Sequence, residues 1–503
     1  MRVGRSLPRA LLAVLVALLV GAFYVATIRD GEGWDDDWSM YDAHARNIAR
    51  GAPYAETGYI YNPHNPELGP RVYPPGFPVA LAPVVKVFGM DLRPMKVLVV
   101  ALFIGSLLLL PLLVRDVLPS PYAELLVLMV GLNPFFWEFK DGILSDLPFL
   151  FLALLALLWF RQAVAAADSG ATLRHRMTLA ACAGIAAYAA YATRVPGIVL
   201  VAAFVAHDLV RHRTLRAPSA VAAAVFALLA AAQYVVGFRD VSYFDQGMAS
   251  VGVVLRHGPE YLRSLSVLWD NGYSDGARKG VFLGVAALAA IGYWRAARSR
   301  PGVLELFPLL YLPVILAWSS FQSTRFLIPV IPFFVYYALA GARALDEALQ
   351  RRWGRRHVAT LAFLTVTLLT YVARYSTLPL GPIDSGVERP EGIELFSFVR
   401  QKTAPQDIIL FSKPRVLALY TGRRASAPYY PSDPCALWTY LRQIGATYVV
   451  TGPTGPYMES EKLAAFVAHY PDSFREMMRN REFAVLRVVH DLCPTPPSSP
   501  RSR

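Results

Sequence analysis

Apolar residues run through this chain in long blocks, most of which end at charged residues or at proline. Blocks near 11–28, 95–114, 122–139, 147–161, 177–193, 195–210, 218–236, 280–297, 303–319, 326–346 and 357–377 approach the ~20 apolar residues a helix needs to cross a bilayer. The pattern predicts about eleven transmembrane helices. Residues 78–90 are apolar but too short to cross, and are expected to form an interfacial or re-entrant helix. The first block is longer than a signal-peptide core and lacks a small-x-small cleavage site, so it is read as a retained span.

The polar segments between blocks are of two kinds. The N-terminus and the linkers 162–176, 211–216, 294–302 and 347–357 are rich in arginine. Eleven alternating spans put all of them on one side, which the positive-inside rule makes cytoplasmic. The acidic loop 29–77, the segment 237–279 and everything after about 378 then lie outside. The expected setting is a bacterial inner membrane, with a cytoplasmic N-terminus. Within 237–279, the stretch from Val251 to Trp269 has the spacing of an amphipathic helix lying on a membrane face.

After Tyr375 the pattern changes. Short β-branched runs at Asp407–Phe411, Thr447–Val450 and Phe483–Val489 alternate with helical stretches at 391–401, 437–444 and 462–469. This alternation predicts a small extracytoplasmic α/β domain over 378–493, followed by a disordered tail, 494–503. Residues 1–377 would form the transmembrane domain, including the external loop 29–77.

Composition agrees: 55% hydrophobic and only 17% charged residues. The formal net charge of +13 does not indicate nucleic acid as a partner, because the basic residues sit at span ends. Cys182, Cys435 and Cys493 have no metal-ligand spacing. Cys435 and Cys493 share the external domain, where a disulfide is one option.

The most unusual stretch is Trp34 to Pro78. It opens with Asp35, Asp36 and Asp37, which repel one another and need a use or a solvent. Met40 to Arg50 has helical spacing, with Tyr41, Ala45 and Ile48 on one face and Gly51 as a stop. Tyr73-Pro74-Pro75-Gly76-Phe77-Pro78 then fixes the backbone with three prolines. Other ionisable residues at the external ends of spans are Lys140 and Asp146 in Asn133–Pro148, Arg194 before Val195-Pro196-Gly197, and Arg325 before Phe326. Ionisable groups at a membrane edge are functional candidates by default. Cations there suit a lipid-linked phosphate, and a carboxylate could take a proton from an acceptor hydroxyl. Each also has a bland reading: a solvated loop for the acids, a helix cap for Asp146, snorkelling for Lys140, interfacial placement for the arginines. His44, His64 and Asp35 have no diagnostic metal spacing; no cofactor or metal is expected, although a divalent ion remains an option.

These residues resemble the GT-C membrane glycosyltransferases, in the branch of protein O-mannosyltransferases and lipid A aminoarabinose transferases. Asp37, Tyr41, Ala45, Ile48 and Gly51, followed by Tyr73 to Pro78, are similar to that group's first external loop. Trp38 departs from it, standing where the second acid of a pair is expected, and leaves open whether Asp36 or Asp37 acts. Asp146, Arg194 and Arg325 resemble the group's later acidic and basic positions. The resemblance implies an inverting transfer of a sugar from a polyprenyl-phosphate donor to a glycan, lipid or protein acceptor outside the cytoplasm. Asp37, Asp36 and Asp146 would be the catalytic acids, and Arg194, Arg325 and Lys140 the phosphate ligands. Tyr41, Tyr73 and Pro75 would shape the substrate loop. Rival readings are a transporter or flippase of lipid-linked sugars, for which paired broken helices and mid-span charges are missing, and a non-catalytic membrane scaffold subunit.

Overall fold

The structure, a computed structural model, describes residues 7–236, 251–298, 301–383, 386–452 and 460–489. It is mostly helical. The first part holds α1 (Leu7–Ala26), α2 (Asp37–Arg50), β1 (Tyr59–Ile60), α3 (Gly76–Phe88), α4 (Leu92–Val114), α5 (Tyr122–Gly131), α6 (Pro134–Phe139), α7 (Asp146–Asp168) and α8 (Leu173–Thr193). Next come α9 (Ile198–His212), α10 (Ala217–Val236), α11 (Val251–Ser266), α12 (Asp275–Ala297), α13 (Val303–Leu316), α14 (Ile331–Trp353) and α15 (Val358–Tyr375). The C-terminal part holds α16 (Pro390–Lys402), β2 (Ile408–Phe411), α17 (Pro414–Thr421), β3 (Arg424–Ser426), α18 (Pro434–Ile444), β4 (Ala446–Thr451), α19 (Ser460–His469), β5 (Phe474–Arg479) and β6 (Ala484–Val488).

Among the described residues, six helices are long and apolar enough to cross a membrane: α4, α7, Val195–His212, Ala217–Val235, α12 and α15. Leu11–Ala26, α3, α5 and α13 are shorter apolar helices. The chain is therefore a multi-pass membrane protein. The block expected as one span over 122–139 is two helices. Pro134 has no N–H to donate to the preceding turn, and Asn133 caps the new helix by accepting from Phe135 N at 2.9 Å. The amphipathic helix expected after residue 250 is α11; residues 237–250 and the tail 490–503 lie outside the described residues.

The C-terminal part forms a six-stranded sheet in the order β1-β3-β2-β4-β6-β5. The β1/β3, β3/β2 and β2/β4 pairs are parallel, and β6 pairs antiparallel with β4 and β5. Its edge strand β1 comes from the first loop, with Tyr59 opposite Ala425. Successive β2 side chains point to opposite faces. Ile409 and Phe411 enter the core shared with the membrane helices, whereas Leu410 joins Leu437, Trp438 and Leu463 in a second core. On the Phe411 face, Trp34 of the first loop packs against Phe396, Phe411 and Phe483, and α17 contacts α2, which ties this part to the first loop. Cys182 is free and Cys435 is disulfide-bonded; Cys493 lies outside the described residues.

Candidate functional site

The acid triplet is divided by the start of α2. Asp35 is exposed, Asp36 is buried and Asp37 opens the helix with 26% of its side chain exposed. Consecutive helical residues point about 100° apart, so adjacent acids take different jobs. Asp36 turns away from solvent and accepts from Val416 N at 3.1 Å, capping α17 across the domain boundary. Burial raises its carboxyl to about 6, against the pull of Arg415 and Lys413. Asp37 turns toward an open cleft. Its Oδ1 accepts a short hydrogen bond from the Tyr73 hydroxyl, and its Oδ2 pairs with Arg325. Burial pushes its carboxyl up, but the Arg325 and Arg415 guanidiniums and the Tyr73 hydrogen bond outweigh that and hold it well below the usual carboxylate range.

The other site residues sit where spans break. Asp146 is in the first turn of α7 and is buried. Arg194 follows the last turn of α8 in extended conformation, and the Val195–Gly197 turn starts the next helix. Arg325 lies in the helical turn Ser323–Leu327, held to α11 by Thr324 Oγ1 donating to Ser264 O at 3.0 Å. Asp146 pairs with Arg194 through Oδ1 and accepts from Arg325 Nε through Oδ2 at 2.8 Å. The four groups form one alternating chain, Arg194–Asp146–Arg325–Asp37. The Arg194 guanidinium also lies 4.7 Å over the Phe326 ring.

The proline loop delivers Tyr73. Tyr41 and Tyr73 stack at 4.9 Å, and the Tyr41 hydroxyl bonds Ser145 Oγ at 2.8 Å. His44 Nε2 accepts from Tyr73 N at 3.2 Å while its Nδ1 faces Tyr54 O at 2.9 Å, so both ring nitrogens serve the loop's architecture. Gly76 is where the loop touches α8: a β-carbon there would stand 2.7 Å from the Ala192 and Thr193 backbone. Tyr73 and Arg194 line the same cleft. Pro75 is buried at the start of α3 and does not line the cleft.

The cleft has a volume of about 110 Å³ and is lined by Asp37, Tyr41, Tyr73, Arg194 and Arg325, with Glu67, Gly69, Trp318, Gln322 and Phe326 among its other walls. Lys140 is elsewhere. It is fully buried, bonds Asp141 at 2.9 Å and lies 4.1 Å over the Trp137 ring, in a network shared with Arg29. Asp141 next to it satisfies its charge. Among the described residues no three His, Cys, Asp or Glu side chains converge as a metal site. His64 stacks on Tyr429 at 4.6 Å.

Two residues of the site escaped sequence reasoning. Glu67 lies in the proline-rich stretch, and the motif frame does not include it. Arg415 belongs to α17 in the C-terminal domain. Its side chain is 1% exposed, and it donates to the Tyr73 hydroxyl at 2.7 Å and to Pro70 O at 3.2 Å.

No protein-family profile matches the chain, and comparison with curated protein sequences gives no match. Solved structures do match. ArnT from Cupriavidus metallidurans, bound to undecaprenyl phosphate, superposes with a TM-score of 0.57 at 14% identity, over 97% of this chain and 99% of that one. AglB, the oligosaccharyltransferase from Archaeoglobus fulgidus in complex with an inhibitory peptide and a dolichol-phosphate, superposes with a TM-score of 0.55 at 13% identity, over 88% of this chain and 69% of that one. The chain therefore shares its fold with ArnT over nearly its whole length and with AglB over most of it.

Proposed function

We propose that this protein is an integral membrane glycosyltransferase that moves a sugar, with inversion, from a polyprenyl-phosphate donor to an acceptor hydroxyl of a glycan, lipid or protein. The reaction would occur on the extracytoplasmic side of a bacterial inner membrane, with the N-terminus cytoplasmic, residues 1–377 as the membrane domain and 378–493 as the external domain. The observation that carries this reading is the convergence of one partly exposed carboxylate, Asp37, with two arginines, Arg194 and Arg325, in a single cleft at the ends of membrane helices.

In the proposed reaction the acceptor oxygen attacks the anomeric carbon from the face opposite the phosphate. The bond from that carbon to the phosphate oxygen breaks, and its electron pair leaves with the polyprenyl phosphate. The acceptor proton passes to Asp37. Arg194 and Arg325 hold the phosphate and offset the charge that develops on it. Asp146, between them, orients both guanidiniums. The arginines supply the positive charge the leaving group requires, so the reaction as written uses no cofactor. Two solved structures of similar fold hold such a ligand: ArnT was captured with undecaprenyl phosphate and AglB with a dolichol-phosphate.

The test is binding of a panel of polyprenyl-phosphate monosaccharides to the purified protein, wild type beside Arg194→Ala. Saturable binding of one sugar that the substitution weakens supports the reading. Binding that ignores Arg194 removes its phosphate role, and no binding or transfer across the panel removes the donor class.

A further inference from the structure

Arg415 is the largest charged side chain buried in the C-terminal domain, and it lies at that domain's contact with the first loop. A buried guanidinium costs several kcal/mol of desolvation unless its donors are used and its charge is balanced. Here its guanidinium carbon lies 4.8 Å from the Tyr59 ring centroid and 5.0 Å from that of Tyr73. One outer nitrogen donates to the Tyr73 hydroxyl at 2.7 Å and stands 3.4 Å from Asp37 Oδ1; the other donates to Pro70 O at 3.2 Å. Its Nε is 3.7 Å from Asp36. The Tyr73 hydroxyl, receiving from Arg415, gives its own proton toward Asp37. Donors in series polarise one another, so this chain ends at the carboxylate that faces the cleft.

The surroundings hold Arg415 in register. Asp36 caps its helix. Gly69, at φ 117°, lets the loop pass the guanidinium: a β-carbon there would stand 2.7 Å from one of its nitrogens. Asn62 and Asn65 donate to Ala427 O and Pro428 O at 2.8 and 2.9 Å, Arg46 donates to Leu419 O at 3.2 Å, and β1 pairs with β3.

We infer that Arg415 is a positioning residue supplied by the C-terminal domain: it aims the Tyr73 hydroxyl and the Asp37 carboxylate into the cleft, so the transferring face is complete only while that domain is docked. This rests on the proposed transferase reading for its rate consequence, but the positioning itself is measurable without turnover. The titratable and charged groups that act on Asp37 or Arg415 are Asp36, Tyr41, His44, Tyr59, Tyr73 and Arg325.

The experiment compares wild type, Arg415→Gln and Arg415→Lys in detergent, each with an Asp37→Asn partner for difference infrared titration of the Asp37 carboxylate. Loss of a neighbouring cation lets a carboxylate keep its proton to higher pH, so Arg415→Gln should raise the Asp37 midpoint by about one unit or more, and Arg415→Lys by less. The dissociation constant for undecaprenyl phosphate should stay within about threefold, since Arg194 and Arg325 are untouched, while transfer falls on the order of 100-fold as the reacting groups lose alignment. An unchanged Asp37 midpoint in both variants overturns the inference. So does a loss of transfer matched by an equal loss of lipid binding, which marks a general folding defect. If Arg415→Gln does not fold, the lysine variant decides by the same midpoint. If wild type transfers from no donor, the transferase reading fails while the infrared shift still decides the role of Arg415.

Discussion

Arg325 joins Asp146 to Asp37: its Nε donates to Asp146 Oδ2 at 2.8 Å, and its outer nitrogen pairs with Asp37. One guanidinium therefore ties the start of α7 to the start of α2, two elements far apart in sequence. Planar, forked donors make this bridging arrangement natural for arginine and not for lysine. Arg325→Ala should leave Asp146 with Arg194 alone and lower stability by about 3 kcal/mol, the lower end of what breaking a buried pair costs. Binding of undecaprenyl phosphate should weaken about 10- to 100-fold, the worth of one or two charge-assisted hydrogen bonds. Arg325→Lys should recover little of it. Isothermal binding beside thermal unfolding in detergent separates the two effects, and an unaltered lipid affinity would exclude Arg325 from the phosphate site.

Asp37→Asn keeps shape and one acceptor oxygen but cannot take a proton. Transfer should fall about 10²–10⁴-fold, the usual worth of a positioned base. Lipid binding should persist, because the arginines remain. Normal turnover in this variant would assign the proton to another group, with Glu67 the next carboxylate in the cleft. Asp36→Ala is the informative control: Asp36 caps α17 and does not line the cleft, so loss of its side chain should lower stability more than turnover per bound donor.

Much of this site was legible because its residues mark breaks in the apolar pattern. Asp146, Arg194 and Arg325 interrupt or end spans, and a charge in such a place must find a partner. Asp37, Tyr41 and Tyr73 lie within one loop whose prolines announce a fixed backbone. The division between Asp36 and Asp37 was not legible, since only the docking of α17 decides which acid faces inward. Arg415 was invisible for a related reason: Pro414–Thr421 reads as an ordinary short amphipathic helix, and its target lies more than 300 residues earlier. Lys140 misled because Asp141 supplies its partner locally. The strands β1 and β3 are two and three residues long, too short for any periodicity to register.

Gly76 supplies a steric prediction. A β-carbon would stand 2.7 Å from the α8 backbone at Ala192 and Thr193, and backbone cannot rotate aside as a side chain can. Gly76→Ala should destabilise by about 1–3 kcal/mol, the range for overpacking. It should also shift Tyr73 relative to Arg194, lowering transfer more than an equally destabilising change on a lipid-facing residue such as Leu228. Equal losses for the two variants would reduce Gly76 to packing alone.

The acids behind the site set a dependence of stability on pH. Burial raises Glu32 to about 7, against the pull of Lys96 and the Ile143 N–H. Burial raises Asp36 to about 6. Asp42 is raised well above the usual range by burial and then by Glu32, and among the described residues neither of its carboxyl oxygens has a hydrogen-bond partner. A carboxyl whose folded-state value is raised binds its proton more tightly in the folded chain. The stability it contributes is full below about pH 4, where both states are protonated, and is lost as pH rises toward the folded value. These acids therefore pull the unfolding midpoint down from about pH 5 to about pH 8, opposed below about pH 6.5 by His44, whose imidazole burial holds down at about 4. For Glu32 the loss over that window is about 3 kcal/mol at one pH unit per 1.36 kcal/mol. Glu32→Gln keeps an acceptor for Ile143 N, which bonds Glu32 Oε1 at 3.1 Å, and leaves Lys96 its bonds to Arg29 O and Gly31 O. The variant should match wild type near pH 5 and exceed it near pH 8. A midpoint that tracks wild type across the whole range would mean that Glu32 ionises without cost, with Lys96 offsetting its burial in full.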